Sequence, residues 1–170
     1  MSTGKGLAIL LAVVVVAATY IALATWIGIK DYWVGFLLLT QWTVVDGGKL
    51  GQLPRTVAGA LSGMVLALIP VLLSAQIGST PALAIMLALM LIAIFLFITM
   101  RATYVVNAAT MIFLTVLTVP EIAPNTTPAA LFAGFALGLV FFGGLALLGS
   151  VIAKGQASKA PATSPEPSGA

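Results

Sequence analysis

The chain has 170 residues, of which 61% are hydrophobic and only 6% are charged, and its formal net charge is +3. A soluble globular domain has about 25% charged residues, so this composition excludes a soluble exterior and indicates a protein surrounded by lipid. The sequence contains no His and no Cys, which excludes disulfides, thiol chemistry and nearly all zinc sites. Its four carboxylates lie far apart in the sequence: Asp31, Asp46, Glu121 and Glu166. We therefore predict no enzymatic activity, no metal or cofactor and no nucleic-acid binding.

Six apolar segments follow one another between charged, Pro-rich and Gly-rich positions. They are residues 7–29, 32–45, 56–77, 82–100, 103–119 and 129–153. Five of them have 17 to 25 residues, which is enough to cross about 30 Å of hydrocarbon as a helix. The second has 14 residues and would span only ~21 Å. The first is too long for a signal peptide and has no cleavage pattern, so we expect it to be retained.

The distribution of basic residues tests whether the short second segment crosses. If all six segments cross and the N-terminus is cytoplasmic, only Lys30 lies outside. The cytoplasmic side then carries Lys5, Lys49, Arg55, Arg101, Lys154 and Lys159. This bias follows the positive-inside rule, whereas a re-entrant second segment would destroy it. We therefore predict an all-α, polytopic membrane protein with six transmembrane helices and both termini in the cytoplasm.

The segments form one transmembrane domain, residues 1–154. Residues 155–170 are rich in Pro, Ser and Ala, which predicts a disordered cytoplasmic tail. Two helix starts are marked by a Thr before a Pro, at Thr80–Pro81 and Thr127–Pro128, as expected for an N-cap and first helical residue. No strong internal repeat is visible, although two inverted three-helix halves would leave only a weak trace in the sequence.

Glycines spaced by four residues mark the third and sixth segments. Gly59 and Gly63 lie on one helix face, in register with Arg55, and Gly134 and Gly138 repeat the spacing. Small residues at this spacing let another backbone approach closely, so we assign these four glycines to helix packing. Ordinary packing within the chain is one interpretation, and a dimer seam around a pore is the other.

Polar residues are grouped on one face of the fifth segment. If the segment is helical throughout, five residues, four of them polar, fall within roughly an 80° arc. They are Thr103, Asn107, Thr110, Leu114 and Thr118. Lipid would not be expected to face such a stripe, so it should face protein or water, either for hydrogen bonding between helices or to line a pathway. Gln41, in the second segment, is a plausible partner for Asn107.

Three basic residues, Lys49, Arg55 and Arg101, gather at the predicted cytoplasmic side. They could draw anions to an inner mouth, or serve only as the topology signal described above. No acidic residue lies deep in any segment, which argues against a proton relay built from a buried carboxylate. Asp46 is the nearest candidate for such a relay, and it could equally pair with Lys49 or Arg55.

Three stretches resemble the membrane core of the fusaric-acid-resistance-like proteins, a family of aromatic acid exporters. They are "DYWVGFLLLTQ", "LPRTVAGALSGMVLALI" and "FLFITMRATYVVNAATMIFLTVL". The resemblance covers about residues 5–153. It rests on Tyr32–Trp33, on Arg55 followed by Gly59 and Gly63, and on Arg101 with Tyr104. The chain departs from the family at Ala58–Gly59–Ala60, where the family has a Gly-Thr pair.

The segments are also similar to small six-span bacterial inner-membrane proteins, through the "GG…LSG" turn and the "ALGL" of the sixth segment. The exporter resemblance implies a homodimer or larger homo-oligomer in the bacterial inner membrane that moves organic anions outward.

These observations favour a transporter or channel for small organic anions, including aromatic ones. Its predicted substrate-binding residues are Arg55, Arg101, Asn107, Thr110, Gln41 and Lys49. The basic residues would attract anions, and the uncharged ones would line the path. The alternative is a structural or accessory membrane protein that packs against partner subunits and transports nothing.

Overall fold

The computed structural model describes residues 2–119, 122 and 126–157. Within these residues the chain contains no strand and forms α1 (Thr3–Ile27), α2 (Trp33–Thr40), α3 (Leu53–Ile77), α4 (Ser79–Ile98), α5 (Ala108–Leu117) and α6 (Pro128–Ala157). A π-helical turn, Gln41–Val45, continues α2, and a 3-10 turn, Leu50–Gln52, leads into α3. The predicted all-α class is therefore confirmed. Helix α6 includes the first three residues of the predicted tail, and the rest of that tail lies outside the described residues.

Four helices are long and apolar enough to cross a membrane. They are Thr3–Ile27, Leu50–Ile77, Ser79–Ile98 and Pro128–Ile152, and two shorter apolar helices, Trp33–Val45 and Ala108–Leu117, accompany them. Large apolar side chains cover the outer faces of α1 and α4, where Val15 and Leu91 are 63% and 66% exposed. Such surfaces are unfavourable in water and favourable in lipid, so this is the architecture of a membrane protein.

The fifth segment is shorter than predicted. The sequence predicted a helix over residues 103–119, but α5 begins only at Ala108 and ends at Leu117. Asn107 is the N-cap: its backbone is extended, and its side chain accepts a hydrogen bond from the Ala109 N–H. Thr110 completes a capping box by accepting from the Asn107 N–H. Because a capping residue lies outside the helix, Thr103 and Asn107 do not share a helical face with Thr110.

One of the two predicted helix starts is correct. Thr127 caps α6, since its hydroxyl accepts from the Ala130 N–H at 3.2 Å and Pro128 is the first helical residue. The prediction at Thr80 is wrong, because α4 begins at Ser79 and Gly78 precedes it. Gly78 has a φ of 87°, which glycine alone adopts without strain, so the turn between α3 and α4 is completed one residue earlier.

The four predicted packing glycines lie at close approaches between helices of this chain. A Cβ on Gly63 would lie 2.6 Å from the carbonyl oxygen of Thr110, and one on Gly59 would overlap the Asn107 side chain. In the same way, Gly138 lies against the backbone of Gly35 and Gly134 against the loop before α2. The face of α3 bearing Gly59 and Gly63 is therefore occupied by α5, which leaves no room for a dimer seam along it.

The bundle contains an internal repeat that the sequence alone did not reveal. Helix α5 begins 75 residues after α2, and α6 begins 75 residues after α3. We name α1–α3 the first half and α4–α6 the second half. At this offset the identical pairs include Leu39 and Leu114, Thr40 and Thr115, Thr43 and Thr118, Val44 and Val119, Ala58 and Ala133, Gly59 and Gly134, and Gly63 and Gly138. The equivalent glycines make equivalent contacts, α3 on α5 and α6 on α2.

The two halves are inverted with respect to each other. Gly59 and Gly63 meet Asn107 and then residues further along α5, so α3 and α5 run parallel. A short loop joins the end of α2 to the start of α3, which places the start of α5 next to the end of α2. Equivalent helices of the two halves therefore run in opposite directions, as expected for three-helix repeats in a membrane.

Candidate functional site

A π-helical turn at the carboxyl end of α2 directs two polar residues toward the other helices. The Asp46 N–H bonds to the carbonyl of Gln41, five residues earlier, at 3.4 Å. The left-handed glycines Gly47 and Gly48 then end the helix. The indole of Trp42 donates to the Lys49 carbonyl at 2.9 Å, which holds this loop against the helix. Such π-turns are rare and occur frequently at functional sites.

The end of α2, the start of α3 and the turn before α5 enclose a cavity of about 170 Å³. Its polar lining consists of Gln41, Asp46, Arg55, Thr103 and Asn107, and the rest is apolar. We name it the Arg55 cavity. It brings together three of the six predicted substrate-binding residues, Gln41, Arg55 and Asn107, from three separate parts of the chain.

Arg55 is half-buried on the first turns of α3. Its Nε donates to the carbonyl of Thr103 at 2.9 Å, which ties α3 to the turn before α5. This hydrogen bond uses one of the five guanidinium N–H groups and leaves the terminal amino groups for another partner. The side chain is thus held in one orientation at the wall of the cavity while it keeps its charge and its capacity to bind an anion.

Asn107 is a structural residue as well as a lining residue. Its Nδ2 donates to the carbonyls of Arg55, at 3.0 Å, and Tyr104, at 3.2 Å, while its Oδ1 accepts from Ala109. These bonds use both amide hydrogens and the amide oxygen. Asn107 therefore fixes the position of Arg55 relative to α5, and its role in the cavity is positioning.

The structure does not bring the other three predicted residues to the cavity wall. The Thr110 hydroxyl is fully buried and is used in the α5 cap, where it donates to the Val105 carbonyl at 2.8 Å. Arg101 is exposed in the turn after α4, where the left-handed Met100 ends the helix. Lys49 is exposed in the loop after the two glycines. The sequence could not distinguish these basic residues from Arg55, because all three fit the same topology signal.

Gln41 is the least satisfied polar residue of the site. The side chain is only 1% exposed, and its Oε1 has no hydrogen-bond partner within the described part of the chain. A buried amide oxygen without a partner costs about 1–3 kcal/mol. The sequence suggested Asn107 as its partner; the two residues line the same cavity, but the amide of Asn107 is used elsewhere.

Asp46 supplies the negative charge of the cavity. The Thr56 hydroxyl, buried on α3, donates to its Oδ2. The sequence singled out Asp46 as the nearest candidate for a proton-relay carboxylate or as a partner for Lys49 or Arg55, and it did not identify Thr56. Thr56 directly follows Arg55 on α3, and nothing in the sequence indicates that its hydroxyl bonds to Asp46. The Arg55 cavity therefore has one positive and one negative side chain on neighbouring walls.

Comparison of the chain with protein-family models, with curated proteins and with solved structures finds no significant match.

Replacing each of the two buried amides should affect the stability of the protein differently. Gln41→Met removes an unpaired oxygen at nearly constant volume, so we expect the melting temperature of the detergent-solubilised protein to stay constant or to rise by a few degrees. Asn107→Ala removes a helix cap and the hydrogen bond to the Arg55 carbonyl, so we expect the free energy of unfolding to fall by an amount on the order of 2–3 kcal/mol. Thermal unfolding of both variants beside the wild type is the measurement. Equal destabilisation by both would contradict the assignment of Gln41 as the unsatisfied group.

Proposed function

We propose that the chain is a transporter of small organic anions, with the Arg55 cavity as the anion site. The observation that carries this proposal is the convergence of Gln41, Arg55 and Asn107 on one cavity beside the apolar core of the bundle. In a membrane protein, a charged residue at the wall of a cavity between helices supports a functional role, since such residues usually face the bundle interior or a water-filled cavity. The planar guanidinium matches the geometry of carboxylate and phosphate groups, so Arg55 suits the binding of an organic anion.

The same proposal includes six crossings of the bacterial inner membrane, with both termini in the cytoplasm. Helix α2 with its π-turn has 13 residues, Trp33–Val45, and spans ~20 Å, while α5 is shorter still. Both pack along long helices, α2 on α6 and α5 on α3. Irregular backbone is tolerated at membrane depth when protein shields it, and the turn before α5 is bonded to Arg55 in this way.

The size of the cavity favours a small substrate. Pockets for drug-sized ligands have roughly 300–1,000 Å³, whereas the Arg55 cavity has about 170 Å³. An anion of few heavy atoms fits such a volume better than a large aromatic acid. The exposed Lys49 and Arg101 would raise the local concentration of anions without binding them directly. Of the residues that carry the resemblance to aromatic acid exporters, Arg55 is the one at this cavity, and assembly as a homo-oligomer remains part of the proposal.

A second function, an accessory protein that packs against partners, is favoured by a different feature. A groove of about 710 Å³ lies between the N-terminal part of α1 and the helices α2 and α6, and its walls are mostly apolar. Ile9 and Val13 of α1 face Phe36 and Phe142 across it. Lipid or an apolar helix of another subunit would fill this space.

Flux measurements in proteoliposomes test the proposed function. Methanesulfonate and benzenesulfonate are suitable probes, because sulfonates stay ionised and therefore cross a bare bilayer slowly. We expect uptake of labelled methanesulfonate above that of protein-free liposomes, saturable and faster than uptake of benzenesulfonate. Absence of uptake by correctly folded protein would refute transport. Co-purification with a larger subunit at fixed ratio, without uptake, would support the accessory function instead.

A further inference from the structure

A second cavity lies at the opposite end of α2. It has a volume of about 390 Å³ and is formed by the loop between α1 and α2 and by the start of α6. Its walls include Gly28, Lys30, Asp31, Thr127, Ala130 and Ala133. We name it the Lys30 cavity. Like the Arg55 cavity, it contains one basic and one acidic side chain.

The internal repeat relates the two cavities. At the offset of 75 residues, Gly28 corresponds to Thr103 and Asp31 to Val106, and all four line a cavity. Ala130 of the Lys30 cavity corresponds to Arg55. Three pairs of equivalent positions therefore line the two cavities. This is expected if each half of the inverted repeat forms the same kind of cavity at its own end of the bundle.

The charged residues, however, do not occupy equivalent positions. Lys30 corresponds to Val105, and Asp31 to Val106. The Asp31 carboxylate accepts from the Trp33 indole at 3.2 Å, as the Asp46 carboxylate accepts from Thr56. Each cavity thus has a bonded carboxylate and a basic side chain of its own, obtained from different positions of the repeat. The backbone arrangement is therefore repeated in the two halves, but the charged residues of the two cavities stand at positions that are not equivalent in the repeat.

Packed apolar side chains separate the two cavities. Val34 and Leu38 lie on α2 between its two ends, and both are buried in the main hydrophobic cluster. The same cluster contains Phe113 of α5 and Phe135 of α6, whose rings meet edge to face with centroids 5.9 Å apart. A dry, close-packed centre does not conduct ions. Passage from one cavity to the other therefore requires a rearrangement of the helices.

The glycine contacts define which helices would move together. Gly138 and Gly35 join α6 to α2 at backbone contact, and Gly63 joins α3 to α5. Each pair combines one helix from either half, and close backbone packing makes each pair stiff. The Arg55 cavity lies between the end of α2 and the α3–α5 pair, so a tilt of the α2–α6 pair against the α3–α5 pair would change its width. The Lys30 cavity lies between the loop before α2 and the start of α6, so the equivalent movement in the inverted half is that of this loop against α6.

We propose that the Lys30 cavity is a second binding site for the same class of small organic anion, and that the two cavities open alternately to opposite sides of the membrane. This inference rests on the proposed function and extends it. Lys30, exposed at the wall of its cavity, supplies the positive charge on the outer side, whereas the half-buried Arg55 supplies it on the cytoplasmic side. The protein is then a carrier with inverted repeats rather than an open channel.

Single-cysteine labelling tests the inference directly, because the chain has no cysteine of its own. Ala108→Cys places a thiol on the Arg55 cavity, and Ala130→Cys places one on the Lys30 cavity. Ala129→Cys, exposed on the first turn of α6, is the matched control for the outer side. The rate of modification by a membrane-impermeant thiol reagent is measured in right-side-out and inside-out vesicles, with and without methanesulfonate.

We expect Ala130→Cys to react only from outside and Ala108→Cys only from the cytoplasmic side. Methanesulfonate should change the two rates in opposite directions by at least twofold and leave Ala129→Cys unchanged. Reaction of both thiols from one side would overturn the inference, as would rates that change in the same direction or stay constant. Uptake measured on the same vesicles separates the two proposals. Reciprocal rates without uptake refute transport alone, whereas uptake with one-sided labelling refutes only the paired cavities.

Discussion

Gly138→Val is expected to prevent the formation of a stable bundle. Gly138 lies at backbone contact with α2, and an added Cβ would be 3.2 Å from the carbonyl carbon of Gly35 and closer still to its Cα. Because both partners are backbone, no side chain can rotate away, and α2 and α6 must separate. Overpacking typically costs about 1–3 kcal/mol of stability when side chains can adjust. Here they cannot, so we expect Gly138→Val to lower the free energy of unfolding by more than ~3 kcal/mol. That is a large fraction of the ~5–15 kcal/mol that stabilises a typical domain.

Gly144→Val is the matched control on the same helix. A Cβ at Gly144 meets no atom within 4 Å, so we expect Gly144→Val to change the free energy of unfolding by less than ~0.5 kcal/mol. Size-exclusion chromatography of the detergent-solubilised variants after stepwise heating measures the difference. If the two variants lost monodisperse protein at the same temperature, the α2–α6 contact would not be a determinant of the fold.

The apolar segments of the sequence located the helices well, because the hydrophobic length of a segment is a local property. The same reasoning failed at the fifth segment. Apolarity continues through Tyr104, Val105 and Val106, but the Asn107 side chain bonds to its own neighbouring backbone and starts the helix later. Asn competes with the helix for backbone groups in this way, and hydropathy does not register the competition.

The candidate site could be predicted only in part, for reasons that differ from residue to residue. Gln41 and Asn107 stood out because an amide in an apolar segment needs a partner. Arg55 and Arg101 look alike in sequence, and the structure separates them, because Arg55 is half-buried and bonded to the Thr103 carbonyl at the cavity whereas Arg101 is exposed. Thr56 gave no signal, since its bond to Asp46 depends on the glycine turn that folds α2 onto α3.

The inverted repeat was hidden from the sequence for a further reason. Lipid-facing positions accept any large apolar residue, so identity between the halves is informative mainly where geometry allows a single residue type. Gly59 and Gly134 are such a pair, and Gly63 and Gly138 are another. These positions become recognisable as equivalent once each is seen to contact the short helix of the opposite half or the residues just before it.

Arg55→Gln is expected to raise the half-saturating concentration for methanesulfonate uptake at least tenfold. Two unit charges 4 Å apart interact with about 4 kcal/mol at an effective dielectric constant near 20, and a factor of ten in affinity requires only ~1.4 kcal/mol. Even a third of the Coulomb term is therefore sufficient. Arg55→Lys keeps the charge but loses the Nε bond to the Thr103 carbonyl, so we expect an intermediate value.

Arg101→Gln is the matched control, because it removes the same charge from a residue that is exposed and does not line the cavity. In the proposed topology both arginines lie on the cytoplasmic side, so general attraction of anions falls equally in the two variants. Exposed charges are screened within about 10 Å at 0.1 M salt. We therefore expect Arg101→Gln to change the half-saturating concentration for methanesulfonate uptake by less than threefold. Concentration series of uptake, with melting temperatures to verify folding, distinguish the cases. Equal losses in both variants would mean that the basic surface as a whole attracts the anion. A loss confined to Arg55→Gln requires that the anion meet the guanidinium inside the cavity.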